Sequence, residues 1–176
     1  MKEGPEMPDI NYNIRQAKIY DVPAIARLEE NTSNTPWSAA SITQDVTKND
    51  RAYVAVVTLP GAEEDLPDVI GYADMWLVAG EAQLNNIAVE EGYRGQHIGE
   101  MLLGHMLDKA ESLGCELMTL EVRISNMTAI SLYTKMGFKR NAVRRGYYRD
   151  NHEDAVLMSR NIGEINVEYI SNNEKR

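Results

Sequence analysis

The chain has little cysteine and no long apolar run. Its 176 residues include one cysteine, Cys115, so an intrachain disulfide is excluded and a reducing compartment is indicated. We expect Cys115, which follows Gly114 at a helix-to-strand junction, to pack rather than to act as a nucleophile. No apolar run approaches the ~20 residues that a membrane-spanning helix needs. The first ten residues lack the apolar segment of a signal peptide. We therefore predict a cytoplasmic protein that does not act at membranes.

Positive charge is also scarce. Lysine and arginine number 18 against 27 aspartates and glutamates, which gives a formal net charge of −9. Because such a surface repels a phosphate backbone, we expect no direct binding of nucleic acid. An acidic surface favours cationic partners such as amines or basic peptides, although it also simply keeps a protein in solution.

Several ligand-binding motifs are missing. No Gly-Lys-Ser or Gly-Lys-Thr ends a loop, so a nucleoside-triphosphate P-loop is unsupported, and no GxGxxG joins a strand to a helix. The three histidines, His97, His105 and His152, are scattered and lack the spacing of metal ligands. We expect neither a bound dinucleotide nor a metal.

The composition is that of one globular domain, with 43% hydrophobic and 26% charged residues. We predict a disordered tail over residues 1–10, a single domain over residues 11–162 and a polar tail over residues 163–176. Hydrophobic periodicity predicts the order β-α-α-β-β-β-α-β-α-β-β, an α+β sheet with helices on both faces.

The predicted strands have mostly apolar or alternating sequences: Tyr12–Ile19, Arg51–Thr58, Val69–Val78, Leu84–Val89, Glu116–Arg123, Phe138–Val143 and Ala155–Ser159. The predicted helices follow turn or capping residues: Asp21 to about Glu30, Ile42 to Val46, Ile98 to Leu113 and Met127 to Met136. Since a strand–helix–strand crossover joins parallel strands, Ile87–Val89 and Leu120–Val122 should lie parallel.

A glycine-bearing loop precedes the third helix. Ile87-Ala88-Val89 is followed by a turn and then by Arg94-Gly95-Gln96-His97-Ile98-Gly99. The apolar face of the helix is expected to carry Ile98, Met101, Leu102, Met106, Ala110 and Leu113. The first N–H groups of a helix have no internal partner and lie at the positive end of its dipole, so the loop predicts an anion site, usually for phosphate. An ordinary strand–turn–helix is an equal alternative.

Polar residues mark a second segment, residues 120–138. Glu121 interrupts an apolar strand and points away from its apolar neighbours; it is either a proton-transfer group or a solvated partner of Arg123. Asn126 is typical of a helix cap. Tyr133 lies two helical turns further on and is either functional or a half-buried core tyrosine.

Together these segments resemble the GNAT acetyltransferase superfamily, and within it the RimI-like ribosomal-protein-alanine N-acetyltransferases. The loop is similar to the family's acyl-CoA loop, Arg/Gln-x-x-Gly-x-Gly/Ala, with Arg94 and Gly99 at the outer positions. The resemblance spans residues 12–162 and includes further motifs: Pro36-Trp37-Ser38, Leu132-Tyr133-x-x-x-Gly137-Phe138, Arg145-Gly146-Tyr147-Tyr148 and Glu153-Asp154-Ala155-x-x-Met158.

One residue departs from the family pattern, because His97 stands where the central glycine is usual. The substitution weakens the loop if the position requires a positive φ. It has no effect if only the backbone N–H matters, since histidine donates one as well.

The resemblance implies the GNAT fold, with a central mixed sheet of about seven strands and acetyl-CoA in a cleft between two splayed parallel strands. Its pyrophosphate would lie on the N–H groups of residues 95–100, its pantetheine would pair with the strand at residues 87–89, and Asn126 would bind the CoA arm. The implied acetyl-CoA residues are Ile87, Ala88, Val89, Arg94, Gly95, Gln96, His97, Ile98, Gly99, Glu100 and Asn126.

The resemblance also implies the catalytic roles. Glu121 matches the family's general base and Tyr133 its general acid, and the Val89 N–H is a plausible oxyanion donor. We expect both side chains on one side of the sheet. Trp37, Tyr147 and Tyr148 are predicted to wall a groove for a basic peptide, with plain hydrophobic packing as the alternative.

The implied activity is transfer of an acetyl group from acetyl-CoA to the α-amine of a peptide or protein. The leading acceptor is the N-terminal alanine of a small-subunit ribosomal protein, attacked without a covalent enzyme intermediate. Two alternatives stand beside it: an acetyltransferase of small amines such as polyamines or aminoglycosides, and a CoA-binding module without turnover.

Overall fold

The computed structural model describes residues 12–61 and 68–163. Seven strands form one mixed sheet in the order β1-β2-β3-β4-β5-β7-β6. The strands are β1 (Asn13–Gln16), β2 (Ala52–Thr58), β3 (Val69–Val78), β4 (Glu81–Val89), β5 (Leu117–Arg123), β6 (Lys139–Arg144) and β7 (Ala155–Asn161). The helices are α1 (Val22–Thr32), α2 (Ala39–Thr47), α3 (Ile98–Ser112) and α4 (Met127–Lys135).

This architecture confirms the predicted α+β fold and the predicted order of elements. The tail predicted over residues 1–10 lies outside the described residues, as does the tail predicted over residues 163–176 apart from its first residue. No helix in the described ranges is long and apolar enough to cross a membrane.

The first strand is shorter than predicted because Asp21 closes a turn before α1. Its buried carboxylate accepts the Lys18 N–H at 2.7 Å and pairs with Arg15 at 2.7 and 2.8 Å. Asp21 therefore stands at the N-cap of α1, as predicted, but its side chain does not cap the helix. Pro23 lies in the first turn, where its missing N–H costs nothing.

Two hydrophobic cores lie on the two faces of the sheet. The first lies beneath α1 and α2 and includes Ile25, Leu28, Ile42, Val54, Val56, Tyr72 and Ala88. The second lies beneath α3 and α4 and includes Leu102, Leu103, Met106, Met118, Leu120, Val122, Ile130 and Tyr133. Cys115 belongs to this second core, as expected of a packing residue.

The buried stripe of α3 differs slightly from the predicted one. Residues Ile98, Leu102, Leu103, Met106, Leu107 and Ala110 are buried. Met101 and Leu113 were predicted on this face, but they are 37% and 48% exposed. Met101 lies on the flank of the stripe, and Leu113 lies beyond the last helical turn.

β4 and β5 run parallel and separate part-way along their length. Their paired residues run from Glu81 with Leu117 to Leu84 with Leu120. Beyond that point β4 continues along β3 as far as Val89, while β5 continues along β7. β4 and β5 are therefore parallel, as predicted, and the segments Ile87–Val89 and Leu120–Val122 flank the gap that the family resemblance implies.

A β-bulge accompanies the separation. Asn86 pairs with Asp74 and Leu84 with Met75, which leaves Asn85 as an extra residue in β4. Because the bulge adds one residue, it shifts the alternation of side chains, and residues after it face the opposite core from the one that strict alternation would give. Leu84 accordingly joins the core beneath α3, whereas Ala88 joins the core beneath α1.

Candidate active site

A cavity of about 900 Å³ occupies the gap between β4 and β5. It extends from the α1–α2 loop to the N-terminus of α3 and the first turns of α4. The predicted site residues that line it are Trp37, Ile87, Ala88, Val89, Arg94, Gly95, His97, Ile98, Gly99, Glu100, Glu121, Asn126, Tyr133 and Tyr148.

Two predicted residues do not line the cavity. Gln96 turns to Tyr12, the residue before β1, and its Oε1 accepts a hydrogen bond from the Tyr12 hydroxyl at 2.6 Å. Tyr147 is 40% exposed and packs edge-on against Tyr148 with ring centroids 5.2 Å apart. Of the aromatic residues predicted to wall an acceptor groove, the cavity brings together Trp37 and Tyr148.

The loop before α3 uses two left-handed residues. Gly95 has φ 77° and His97 has φ 61°, so the position where the family usually has glycine does require a positive φ. The imidazole of His97 turns to Glu100, with Nδ1 and Oε1 3.1 Å apart. The first N–H groups of α3 have no partner within the helix, and the residues that carry them line the cavity as a candidate anion site.

Charged side chains surround this candidate anion site. Desolvation raises the pKa of Glu100, but hydrogen bonds from Lys135 and His97 outweigh it and hold the pKa below its usual value. The Lys135 ammonium lies 2.6 Å from Glu100. Arg94 donates from Nε to the Val89 carbonyl at 3.1 Å, which ties the loop to the end of β4.

The backbone of β4 presents alternate residues to the gap. The Glu90 N–H donates to the Ile70 carbonyl at 2.8 Å, so Val89 is not hydrogen-bonded to its partner in β3. Because antiparallel pairs alternate, Ala88 exchanges hydrogen bonds with Tyr72, whereas Ile87 and Val89 direct their N–H and C=O groups away from β3. Ile87 can thus bind a ligand in the gap through both backbone groups and Val89 through its N–H, because Arg94 already binds the Val89 carbonyl. Ala88 cannot, because its backbone groups bind Tyr72.

Glu121 is held at the other side of the gap. Its neighbours along β5 are buried beneath α4, so alternation directs its carboxylate to the face that carries α1. Arg144 of β6 pairs with it at 2.7 Å. A hydrogen bond to Glu121, followed by burial, raises the pKa of Tyr147. The cation paired with Glu121 is therefore Arg144 and not Arg123, the partner suggested by sequence.

Tyr133 is buried in α4, with its ring 5.8 Å from that of Phe138. Burial, followed by the proximity of Tyr148, raises the pKa of Tyr133. Tyr133 belongs to the core beneath α3 and α4, whereas Glu121 leaves the opposite face. The expectation that both lie on one side of the sheet is wrong. Both nevertheless line one cavity, because the separated strands leave no sheet between them.

Arg123 instead fixes the loop between β6 and β7. Its guanidinium lies 3.9 Å from the Tyr148 ring centre and pairs with Asp150 and Glu153 at 2.9 and 3.3 Å. Hydrogen bonds from Ser125 lower the pKa of Glu153 to about 2. Burial raises the pKa of Tyr148, which lines the cavity, to about 12, so its hydroxyl is neutral at physiological pH.

A buried cluster beneath α1 was not predicted from the sequence. Glu29 is 1% exposed and lines the cavity. It accepts hydrogen bonds from the Tyr72 hydroxyl, the Asn86 amide and the Trp37 backbone N–H. A signal was present, because Glu29 lies four residues after Ile25 and so falls on the apolar face of α1.

The described residues contain no group of three or more His, Cys, Asp or Glu side chains placed to hold a metal ion.

Asn126 caps α4, since its Oδ1 accepts the Ala129 N–H at 3.1 Å.

Comparison with known proteins gives consistent results. The model of the Acetyltransferase (GNAT) family matches residues 22–138. The [ribosomal protein bS18]-alanine N-acetyltransferase of Escherichia coli K12 is 35% identical over 141 residues, which cover 79% of this chain and 90% of that protein. Its counterpart in Salmonella typhimurium LT2 is 34% identical over the same length. The crystal structure of the Escherichia coli ribosomal-protein-S18-alanine N-acetyltransferase superposes with a TM-score of 0.76 at 32% identity, covering 89% of this chain and 97% of that one.

Proposed function

The chain belongs to the GNAT acetyltransferase family and is an acetyl-CoA-dependent N-acetyltransferase, and we propose that it acetylates the N-terminal alanine of ribosomal protein bS18. One observation supports the chemistry above all others. The gap between β4 and β5 opens a single cavity to a candidate anion site, to two strand residues whose N–H groups β3 does not use, to a carboxylate and to a buried phenol.

Acetyl-CoA fits the residues along one side of this cavity. The N–H groups of Ile98, Gly99 and Glu100 would bind its pyrophosphate at the start of α3. Gly99 has little room for a side chain, since an added Cβ would lie 3.3 Å from Leu132. The backbone of Ile87 and Val89 would bind the pantetheine arm as an added strand.

Glu121 would act as the general base. An α-amine has a pKa of about 7.7–8.0, so much of it is protonated at neutral pH and cannot attack a thioester. A carboxylate offers about four lone-pair positions, so Glu121 can still accept a proton, directly or through water, while Arg144 and Tyr147 are bound to it.

Two groups would stabilise the charges that follow attack. The Val89 N–H, which β3 does not use, would donate to the thioester oxygen as negative charge develops there. Tyr133 would donate its proton to the departing thiolate, and its raised pKa keeps it protonated until then.

Transfer would be direct rather than through an acetylated cysteine. Cys115 is buried in the core beneath α3, and burial raises the pKa of its thiol. A buried neutral thiol is a poor nucleophile.

Mass spectrometry would test the proposed function. The chain is incubated with acetyl-CoA and a basic peptide that begins with alanine. The control is the same peptide with a blocked N-terminus and an internal lysine. We expect one acetyl group on the α-amine and none on the blocked peptide. Absence of that product, or a higher kcat/KM for polyamines or aminoglycosides than for any peptide, would contradict the proposal.

A further inference from the structure

Three carboxylates line the cavity, and they differ in their charge partners. Glu100 is paired with Lys135 at 2.6 Å, and Glu121 is paired with Arg144 at 2.7 Å. Glu29 has no cationic partner among residues 12–61 and 68–163. Its negative charge is therefore the one that a cationic ligand in the cavity would meet without displacing a protein side chain.

Neutral donors hold Glu29 in place. Its Oε1 accepts from the Tyr72 hydroxyl at 2.5 Å and from Asn86 Nδ2 at 2.7 Å, and its Oε2 accepts from the Trp37 N–H at 2.9 Å. These bonds fill hydrogen-bonding positions of the carboxylate, but they bring no positive charge to balance its negative charge. Burial, followed by the charge of Glu29, raises the pKa of Tyr72. Tyr72 thus stays a neutral donor to the anion.

The position of Glu29 corresponds to the acceptor side of the gap. Asn86 immediately precedes Ile87, whose backbone groups face the gap, and Trp37 belongs to the loop that borders the cavity opposite α3. Glu29 and Glu121 approach from the same face of the sheet. A cationic acceptor entering beside Trp37 would pass Glu29 on its way to Glu121.

We propose that Glu29 is the specificity-determining residue for a protonated α-amine: its uncompensated carboxylate attracts the acceptor's ammonium group into the cavity, and its bond to Trp37 holds the groove wall in place. This inference rests on the proposed function of the same site. Because Glu29 is 1% exposed, solvent screens its interaction with a cation in the cavity less than it would screen a charge pair at the surface.

The test compares two peptides in the presence of CoA. One is a basic peptide that begins with alanine, and the other carries a propionyl group in place of that alanine and so lacks only the amine. At pH 6.5 we expect wild-type protein to bind the amine form at least about tenfold more tightly. In Glu29→Gln that preference should fall to about twofold or less.

Two control variants separate charge from structure. Glu30→Gln changes the adjacent, exposed carboxylate and should keep the full preference. Tyr72→Phe removes a hydrogen bond to Glu29 but no charge, and it should also keep the preference. If Glu29 has only a structural role, Glu29→Gln should weaken the binding of both peptides equally, and this result would overturn the proposal. Loss of the preference in Glu121→Gln with retention in Glu29→Gln would also overturn it.

The wild-type protein alone provides a second test should Glu29→Gln fail to fold. Equal affinities for the amine and propionyl peptides would overturn the inference. Acetylation of the amine peptide without such a preference would leave the proposed function standing. A preference without acetylation would instead refute the proposed function.

Discussion

Replacing His97 with glycine should make the loop before α3 more stable. His97 adopts φ 61°, a conformation that costs an ordinary residue roughly 1–2 kcal/mol and costs glycine nothing. Glycine also has more conformational freedom in the unfolded chain, and this offsets about 0.5–1 kcal/mol of the stability gained by relieving the strain. The exposed His97–Glu100 contact, at 3.1 Å, is worth at most about 0.5 kcal/mol. The free energy of unfolding of His97→Gly should therefore equal or slightly exceed that of the wild type.

His97→Ala is the matched control. Alanine loses the imidazole as glycine does, but it keeps the penalty for positive φ. Urea denaturation should therefore find His97→Gly more stable than His97→Ala by about 1 kcal/mol. Equal stabilities would refute the assignment of strain to this position.

The same pair of variants tests the anion site. Since the pyrophosphate would be bound by backbone N–H groups, titration calorimetry should give His97→Gly an acetyl-CoA affinity equal to or better than wild type. A loss greater than about tenfold in both variants would mean that the imidazole itself contacts the cofactor.

Three further predictions concern stability. Burial raises the pKa of Asp74 to about 7. A carboxyl whose pKa is raised on folding contributes stability below its unfolded pKa and loses it as pH rises to the folded value. Between pH 5 and 7 the free energy of unfolding of the wild type should fall by roughly 2–3 kcal/mol relative to Asp74→Asn, and parallel urea curves across that range would refute this. Gly71→Ala places a Cβ 3.2 Å from both the Ala88 carbonyl and Leu102, so it should cost about 1–3 kcal/mol in urea denaturation. Gly104→Ala, in α3 with open space around it, should not be destabilising. Asn126→Ala removes the cap of α4 and should lower the free energy of unfolding by about 1 kcal/mol, whereas Asn126→Asp should not.

Local patterns were sufficient to predict the elements of the fold. The strand Val69–Val78 has the bounds that its sequence predicts, and the four helices begin within a few residues of their predicted starts. Helix spacing also placed Asn126 and Tyr133 on one helix. These features depend on residues close together in the chain, where periodicity and capping act.

Features that depend on distant residues could not be predicted. The partner of Glu121 is Arg144, 23 positions away along the chain. The two side chains meet because β7 pairs with both β5 and β6 and so brings these strands close together. The bulge at Asn85 lies inside a continuous strand with no glycine or proline to mark it, yet it decides which side chains face each core. The alternation of β5 was correctly predicted. The placement of Glu121 and Tyr133 on one side of the sheet was not, although the separation of the two parallel strands was expected from the family resemblance.

The left-handed conformation of His97 is an instructive intermediate case. Resemblance to a family loop showed that His97 stands where glycine is usual. It left open whether the position requires a positive φ or only a backbone N–H. The structure shows that the position takes a positive φ, at the N-cap of α3. The sequence alone offers no glycine to signal it.

The most direct test of the account is the rate of acetyl transfer by Glu121→Gln and Tyr133→Phe on the alanine peptide. Each variant removes a proton-transfer group while leaving the anion site intact. We predict that kcat falls by about 10²–10⁴-fold in each, with acetyl-CoA affinity within about twofold of wild type. An unchanged kcat in either variant would contradict the claim that the gap between β4 and β5 is the catalytic centre.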